Sequence, residues 1–368
     1  MKRSRRFWYG AAIGALAVAI AVTAAACGGS SGGSSGSSSP AANSGQSFVG
    51  AGSTFAQPLY TAWAQTYQGV SGGVKLNYQG VGSSAGIAAI EAKTVQFGAT
   101  DAPLTESDLQ TNGLIQFPTA VGGTVVVVNL SGVANGSLTL NGATLANIYL
   151  GKVTKWNDPE ITATNPGVKL PSSKINVVHR SDGSGTSWIF TSYLSAVSPT
   201  WKSQVGADKS PAWPVGTGGA KSAGVAALVQ QVSGSIGYVE YTYATQNNMN
   251  AVKMVNASGK VVAPTLAAFT AAAKNATWDP NQGFAQALVN EPGATAWPIT
   301  GATFALVHKD QTDAAQAQMV LKFFDWGYKS GASQAKSLQY VPIPANVYNM
   351  VEQQWTQITV SGTAVWPA

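Results

Sequence analysis

The run TVVVV at 124–128 has no polar alternation, so a strand there must be covered on both faces. INVVH at 175–179 and TFALV at 303–307 carry the same signature, whereas VKLNY at 74–78 alternates as a half-buried strand does. Strands covered on both faces call for helices, and helical patterns lie between these runs. AQPLYTAWAQTY (56–67) sets Leu59, Tyr60, Trp63 and Tyr67 on one face, with Pro58 tolerable in the first turn. TDAAQAQMVLKFFDWGYK (312–329) aligns Ala315, Met319, Val320 and Phe323 in the same way. The alternation predicts an α/β fold. A chain of 368 residues that is 45% hydrophobic has enough apolar surface for two or three domains with sizeable cores. There is no internal repeat and no low-complexity linker after residue 47, so two lobes would have to be joined within ordered structure.

The N-terminus is different in kind. Lys2, Arg3, Arg5 and Arg6 precede FWYGAAIGALAVAIAVTAAAC, an apolar stretch that ends in small residues and the chain's one cysteine, Cys27. This is the pattern of an export signal over 1–27. A lone thiol excludes internal disulfides and any multi-cysteine metal site. Its place after TAAA resembles the lipobox of bacterial lipoproteins, in which the cysteine is acylated and becomes the mature N-terminus, although Ala24 stands where leucine is commoner. An ordinary signal peptide with an incidental cysteine, and an uncleaved anchor helix, are the alternatives. Residues 28–47, GGSSGGSSGSSSPAANSGQS, have nothing larger than alanine or proline to contribute to a core and read as a tether spanning roughly 25 Å. The four leader bases also explain most of the net charge of +6; 17 bases against 15 acids remain, with no basic stripe for nucleic acid.

Three loops share one layout. GAGSTFAQPLY (50–60) is a glycine turn followed by Ser53, Thr54 and a helix; QGVGSSAGIAAIEAK (79–93) repeats the plan with Ser83 and Ser84, and RSDGSGTSWIFTSYL (180–194) does so a third time. A helix start leaves backbone N–H groups unpaired and carries partial positive charge, so small hydroxyl residues and glycines there suit a closely approached anion. Serine and threonine are also ordinary helix caps, which is the better account of any one loop taken alone. The set of three, joined by Arg180 with its planar fork, points to an oxyanion. FGATDAPLT (97–105) adds Asp101, an acid that makes sense beside an anion only if the ligand itself carries a proton to donate.

These phrases, together with IYLGKVTKWND, GSIGYVEY, AWPIT and KFFDWGY in order, resemble the phosphate-binding proteins of bacterial phosphate-specific ABC uptake systems from about Phe48 almost to the C-terminus. The resemblance implies a two-lobed, type II periplasmic-binding-protein fold, with phosphate in the cleft between lobes and delivery to the membrane permease of an ABC transporter. It places 48–128 and 299–368 in lobe I and 129–298 in lobe II, with crossings near Asn129 and Trp297. It implicates Thr54, Phe55 (through its backbone N–H), Ser83, Asp101, Arg180, Ser184, Gly185 and Thr186 as phosphate contacts, with Asp182 bracing Arg180. It implies a monomer with no cofactor, no metal and no catalytic residue, held at the outer face of the bacterial cytoplasmic membrane through Cys27, or soluble in the periplasm. Ala85 and His179 depart from the family's usual glycine and arginine, and neither is an implied contact.

Two rivals stand beside this. GSSAG (82–86) fits the G-x-S-x-G nucleophile elbow with Ser84 at its centre, and His308 near Asp310 is the better placed of the two histidines to serve as its base. The other rival is a different oxyanion, sulfate or molybdate, on the same architecture. No Gly-Lys-Ser/Thr follows the glycines, so a P-loop is excluded.

Overall fold

The computed structural model describes residues 45–367. The expected export signal, the expected acylation at Cys27 and the expected tether as far as residue 44 lie outside the described residues. The elements that carry the site are β1 (Ser47–Gly52), α1 (Gln57–Val70), β2 (Lys75–Gly80), α2 (Ser83–Glu91), β3 (Phe97–Thr100) and β4 (Leu114–Asn129), followed by β5 (Asn176–Arg180), α3 (Gly185–Val197), β6 (Thr217–Gly219), α4 (Lys221–Gln231), β7 (Ser235–Glu240), β8 (Thr300–His308) and α5 (Ala314–Ser330). The strands form one sheet in the order β2-β1-β3-β8-β4-β7-β5-β6, with two short strands added on β4. β1 runs parallel to β2 and β3, and β5 runs parallel to β6 and β7; β4 and β8 are antiparallel to their neighbours. Helices cover the strands, giving the expected α/β architecture.

β4 is the element on which both halves hang. From Leu114 to Gly123 it pairs with β8, and from Thr124 to Asn129 with β7. Its second half is the TVVVV run, and all but the last of its sixteen residues are buried. The first half, LIQFPTAVGG, holds a proline and two glycines, which would ordinarily argue against a central strand. Pro118 is accommodated at a bulge, where Thr303 of β8 faces Ala120 and the next residue, Phe304, faces Pro118. The glycines are filled from outside. A Cβ on Gly122 would sit 2.8 Å from the Phe55 ring, and one on Gly123 only 2.1 Å from Phe269.

β2 keeps the predicted alternation, and α1 buries the predicted Leu59, Tyr60, Trp63 and Tyr67. Tyr60 packs against Trp63, Tyr78, Phe97, Phe323 and Phe324, so α1 is fixed over the sheet by one aromatic cluster. α5 corrects its expected face: Ala315 is exposed and Met319 only half-buried, whereas Ala317, Val320, Leu321, Phe323 and Phe324 are buried. The covered face runs through Ala317, Val320, Leu321, Phe324 and Gly327, with Lys322 and Lys329 exposed on the other side, so the packed face is rotated from the expected one toward the small residues that precede the aromatic pair.

Candidate anion-binding site

Four helix starts converge here, one more than the sequence suggested. At the first, the initial helical bond of α1 runs from Tyr60 N–H to the Ala56 carbonyl, so the N–H groups of Thr54 and Phe55 have no acceptor in the helix. Ser53 Oγ accepts the Ala56 N–H at 3.2 Å and donates to Asp101 Oδ1 at 2.5 Å. The Phe55 carbonyl is held by the Tyr340 hydroxyl at 2.6 Å.

At the second, α2 begins behind Gly82, whose φ of 96° favours glycine; a Cβ there would also meet Asp182 Oδ2 at 2.5 Å. Ser83 Oγ accepts N–H groups from Gly185 at 3.0 Å and Asp101 at 3.4 Å, tying α2, α3 and β3 together. At the third, Ser184 caps α3 by accepting the Ser187 N–H at 3.1 Å. A Cβ on Gly185 would lie 2.6 Å from Asp101, so glycine is required for this approach. Thr186 Oγ1 is buried without a partner. An oxyanion's acceptor oxygens would satisfy it.

The start of α4 is the fourth. Here Ala220 supplies no side-chain cap, and Ser222 Oγ lies 2.8 Å from Thr54 Oγ1 and 3.4 Å from Arg180 Nη1. Arg180 is 3% exposed. Asp182 accepts from its Nε at 2.8 Å and its Nη2 at 2.6 Å, and Lys221 N–H donates to the same carboxylate at 2.8 Å. Burial would raise the Asp182 carboxyl, but these bonds and the guanidinium charge hold it below its ordinary value. Of the five N–H groups on a guanidinium, Asp182 and Ser222 engage three and leave two for a ligand. Arg180 is therefore fixed by one fork and open at another.

Asp101 is the counterweight. Burial pushes its carboxyl up to about 6, against hydrogen bonding by Ser53 and the charge of Arg180. It is an acceptor at neutral pH and becomes a donor under mild acid. No group of three or more His, Cys, Asp or Glu among the described residues could hold a metal ion.

Thr54, Phe55, Ser83, Asp101, Arg180, Asp182, Ser184, Gly185 and Thr186 thus meet in one place. Sequence reasoning missed Ser222. The signal for Ser222 was available, since GGAKSAG repeats the glycine-hydroxyl-helix layout of GSSAG. The elbow reading separates instead of assembling. Ser84 is the second residue of α2, while His308 Nε2 bonds the carbonyl of Ile90, roughly 9 Å further along that helix.

Residues 36–329 match the family model of a PBP superfamily domain. The phosphate-binding protein PstS of Xylella fastidiosa (strain 9a5c) is 49% identical over 306 residues, covering 83% of this chain and 84% of its own. Among solved structures, a phosphate binding protein from Stenotrophomonas maltophilia aligns with a TM-score of 0.62 at 17% identity, over 87% of this chain and 96% of its own. An ABC-type phosphate transport receptor from Vibrio cholerae aligns with a TM-score of 0.53 at 21% identity, over 81% of this chain and all of its own. The fold is the two-lobed α/β architecture of periplasmic binding proteins, with its site in the cleft between lobes. The chain belongs to the PstS family of phosphate-binding proteins.

Proposed function

We propose that this chain captures inorganic phosphate outside the cytoplasm and delivers it to the membrane permease of an ABC importer, binding its ligand without chemical turnover. The observation that carries the reading is the pairing of a braced, half-engaged Arg180 with a buried acceptor, Asp101, at the meeting of four helix starts. In this reading the Thr54 hydroxyl, the Phe55 N–H, Arg180, Thr186 and the hydroxyls of Ser83 and Ser184 hold phosphate oxygens, while Asp101 accepts the phosphate proton. The Gly185 N–H, bonded here to Ser83, would turn to the ligand. The lobes in this reading are 48–128 with 299–368, and 129–298; the change of partner along β4 at Gly123 and Thr124 supports a junction inside that strand. Mass spectrometry of ligand released from the purified protein, followed by calorimetric titration, should find phosphate bound one to one. Absence of heat with phosphate, together with tight binding of another oxyanion, would replace this ligand assignment.

The reading includes a monomer held at the outer membrane face by acylation of Cys27. Two or more acyl chains hold a protein stably where one does so marginally. Changing Cys27 to serine should move the protein from the membrane fraction to the soluble one and abolish lipid labelling. Labelling that persists in the variant would exclude Cys27 as the attachment point.

A further inference from the structure

Glu240 ends β7 opposite Thr124 of β4 and is 1% exposed. Neither of its carboxyl oxygens makes a well-formed hydrogen bond, although Ser222 and its own backbone N–H lie close by and buried carboxyls are ordinarily paired. It stands at the N-cap of the short helix Tyr241–Gln246 without capping it. The groups around it are the Ser222 hydroxyl from α4, Arg180 from β5, Asp101 after β3, Tyr243 in the short helix and Tyr340. All but Tyr243 belong to the anion site or touch it. Arg180 is already engaged by Asp182. An ionised Glu240 would set three carboxylates against one guanidinium in a site meant for an anion.

We propose that Glu240 is a positioning residue that keeps the site open to phosphate as a neutral acid, and that its ionisation opposes the ligand and sets an alkaline limit on binding. The proposal rests on the phosphate reading above. A neutral carboxyl can donate to Ser222 Oγ and so orient that hydroxyl between Thr54 and Arg180. A carboxylate would instead draw the Ser222 proton to itself and compete with the ligand for Arg180. Burial pushes the carboxyl up to about 8, against the pull of its own backbone N–H, Ser222 and Arg180. The binding form is the protonated one, so affinity is full below that value and lost as pH rises through it.

The test is calorimetric titration of inorganic phosphate into wild type and Glu240→Gln at pH 7 and pH 9. The wild type should lose about tenfold more affinity across that interval than the variant. Ionisation of phosphate, Asp101 and the tyrosines is common to both proteins and cancels in the comparison. Equal losses would overturn the inference alone, whereas failure of both proteins to bind phosphate at pH 7 would remove the phosphate reading and this one with it. If the variant does not fold, infrared titration of the wild type decides. The C=O stretch of a protonated carboxyl should vanish between pH 7 and 9.5 and return on adding phosphate; no such band would sink the proposal.

Discussion

Replacing Asp101 with asparagine should let sulfate into a site that otherwise excludes it. Every other group proposed to face the ligand is a donor or a hydroxyl and serves sulfate as well as phosphate. At neutral pH phosphate keeps at least one proton and can donate it to the Asp101 carboxylate. Fully ionised sulfate would place acceptor against acceptor in a buried setting. Sites built to hydrogen-bond a ligand group reject analogues that lack it by about 10⁴–10⁵, so the wild-type preference should be of that order. An asparagine side chain can accept from phosphate or donate to sulfate, and the ratio should narrow chiefly through tighter sulfate binding. The wild type contains its own control. Because burial raises the Asp101 carboxyl to about 6, its protonated form becomes a donor below that pH, and sulfate should compete better at pH 5 than at pH 8. Competition titrations with both anions, on both proteins and at both pH values, test the idea; a ratio that moves with neither change would locate selectivity elsewhere in the cleft.

The second large effect is expected at Arg180. Its guanidinium is buried, clamped on one side by Asp182, and is the one permanent cation among the proposed contacts. Removing one partner of a buried, hydrogen-bonded charge pair costs about 2–5 kcal/mol, much of it from the group left behind. Arg180→Ala leaves the ligand without its cation, so phosphate affinity should fall by roughly 30-fold to a few thousand-fold. Arg180→Lys should recover little. An ammonium cannot satisfy the Asp182 carboxylate, Ser222 and a ligand oxygen in three fixed planar directions. Unchanged affinity in the alanine variant would take Arg180 out of the binding site altogether.

The deeply buried strands were legible because Val125 to Val128, Val177 and Val178, and Phe304 to Val307 leave no polar face. The first half of β4 was not, since Pro118, Gly122 and Gly123 read locally as punctuation. What makes them strand residues is supplied from far away in the chain, by the bulge against Thr303 and by the Phe55 and Phe269 rings over the glycines. The face of α5 was misplaced because two helical periods fit the same stretch, one through Ala315, Met319 and Phe323 and one through Ala317, Val320, Leu321 and Phe324, and only the second is buried throughout. In the site, the hydroxyl and glycine residues declared themselves through repeated spacing, and Arg180 through its isolation. Ser222 lay behind a turn made by Lys221 at a φ of 62°, a conformation with no local sequence cue. Glu240 looked like any acid at the end of a strand, because only the tertiary fold leaves it without a well-formed hydrogen bond.

The place of β8 in the sheet bears on how such a chain can be made. Its residues, 300–308, lie between β3, which ends at Thr100, and β4, which ends at Asn129, so both partners are complete long before it. Until that late segment arrives, β3 and the first half of β4 present raw hydrogen-bonding edges of the kind that pair with the wrong neighbour. The second half of β4 has β7 available sooner. A chain emerging N-terminus first, from a ribosome or through a membrane channel, therefore has to carry an unfinished sheet for most of its synthesis. Long-range pairing of this sort slows folding and exposes the intermediate to aggregation. It also means that truncations from the C-terminal end should be lethal to the fold well before they reach any residue of the site.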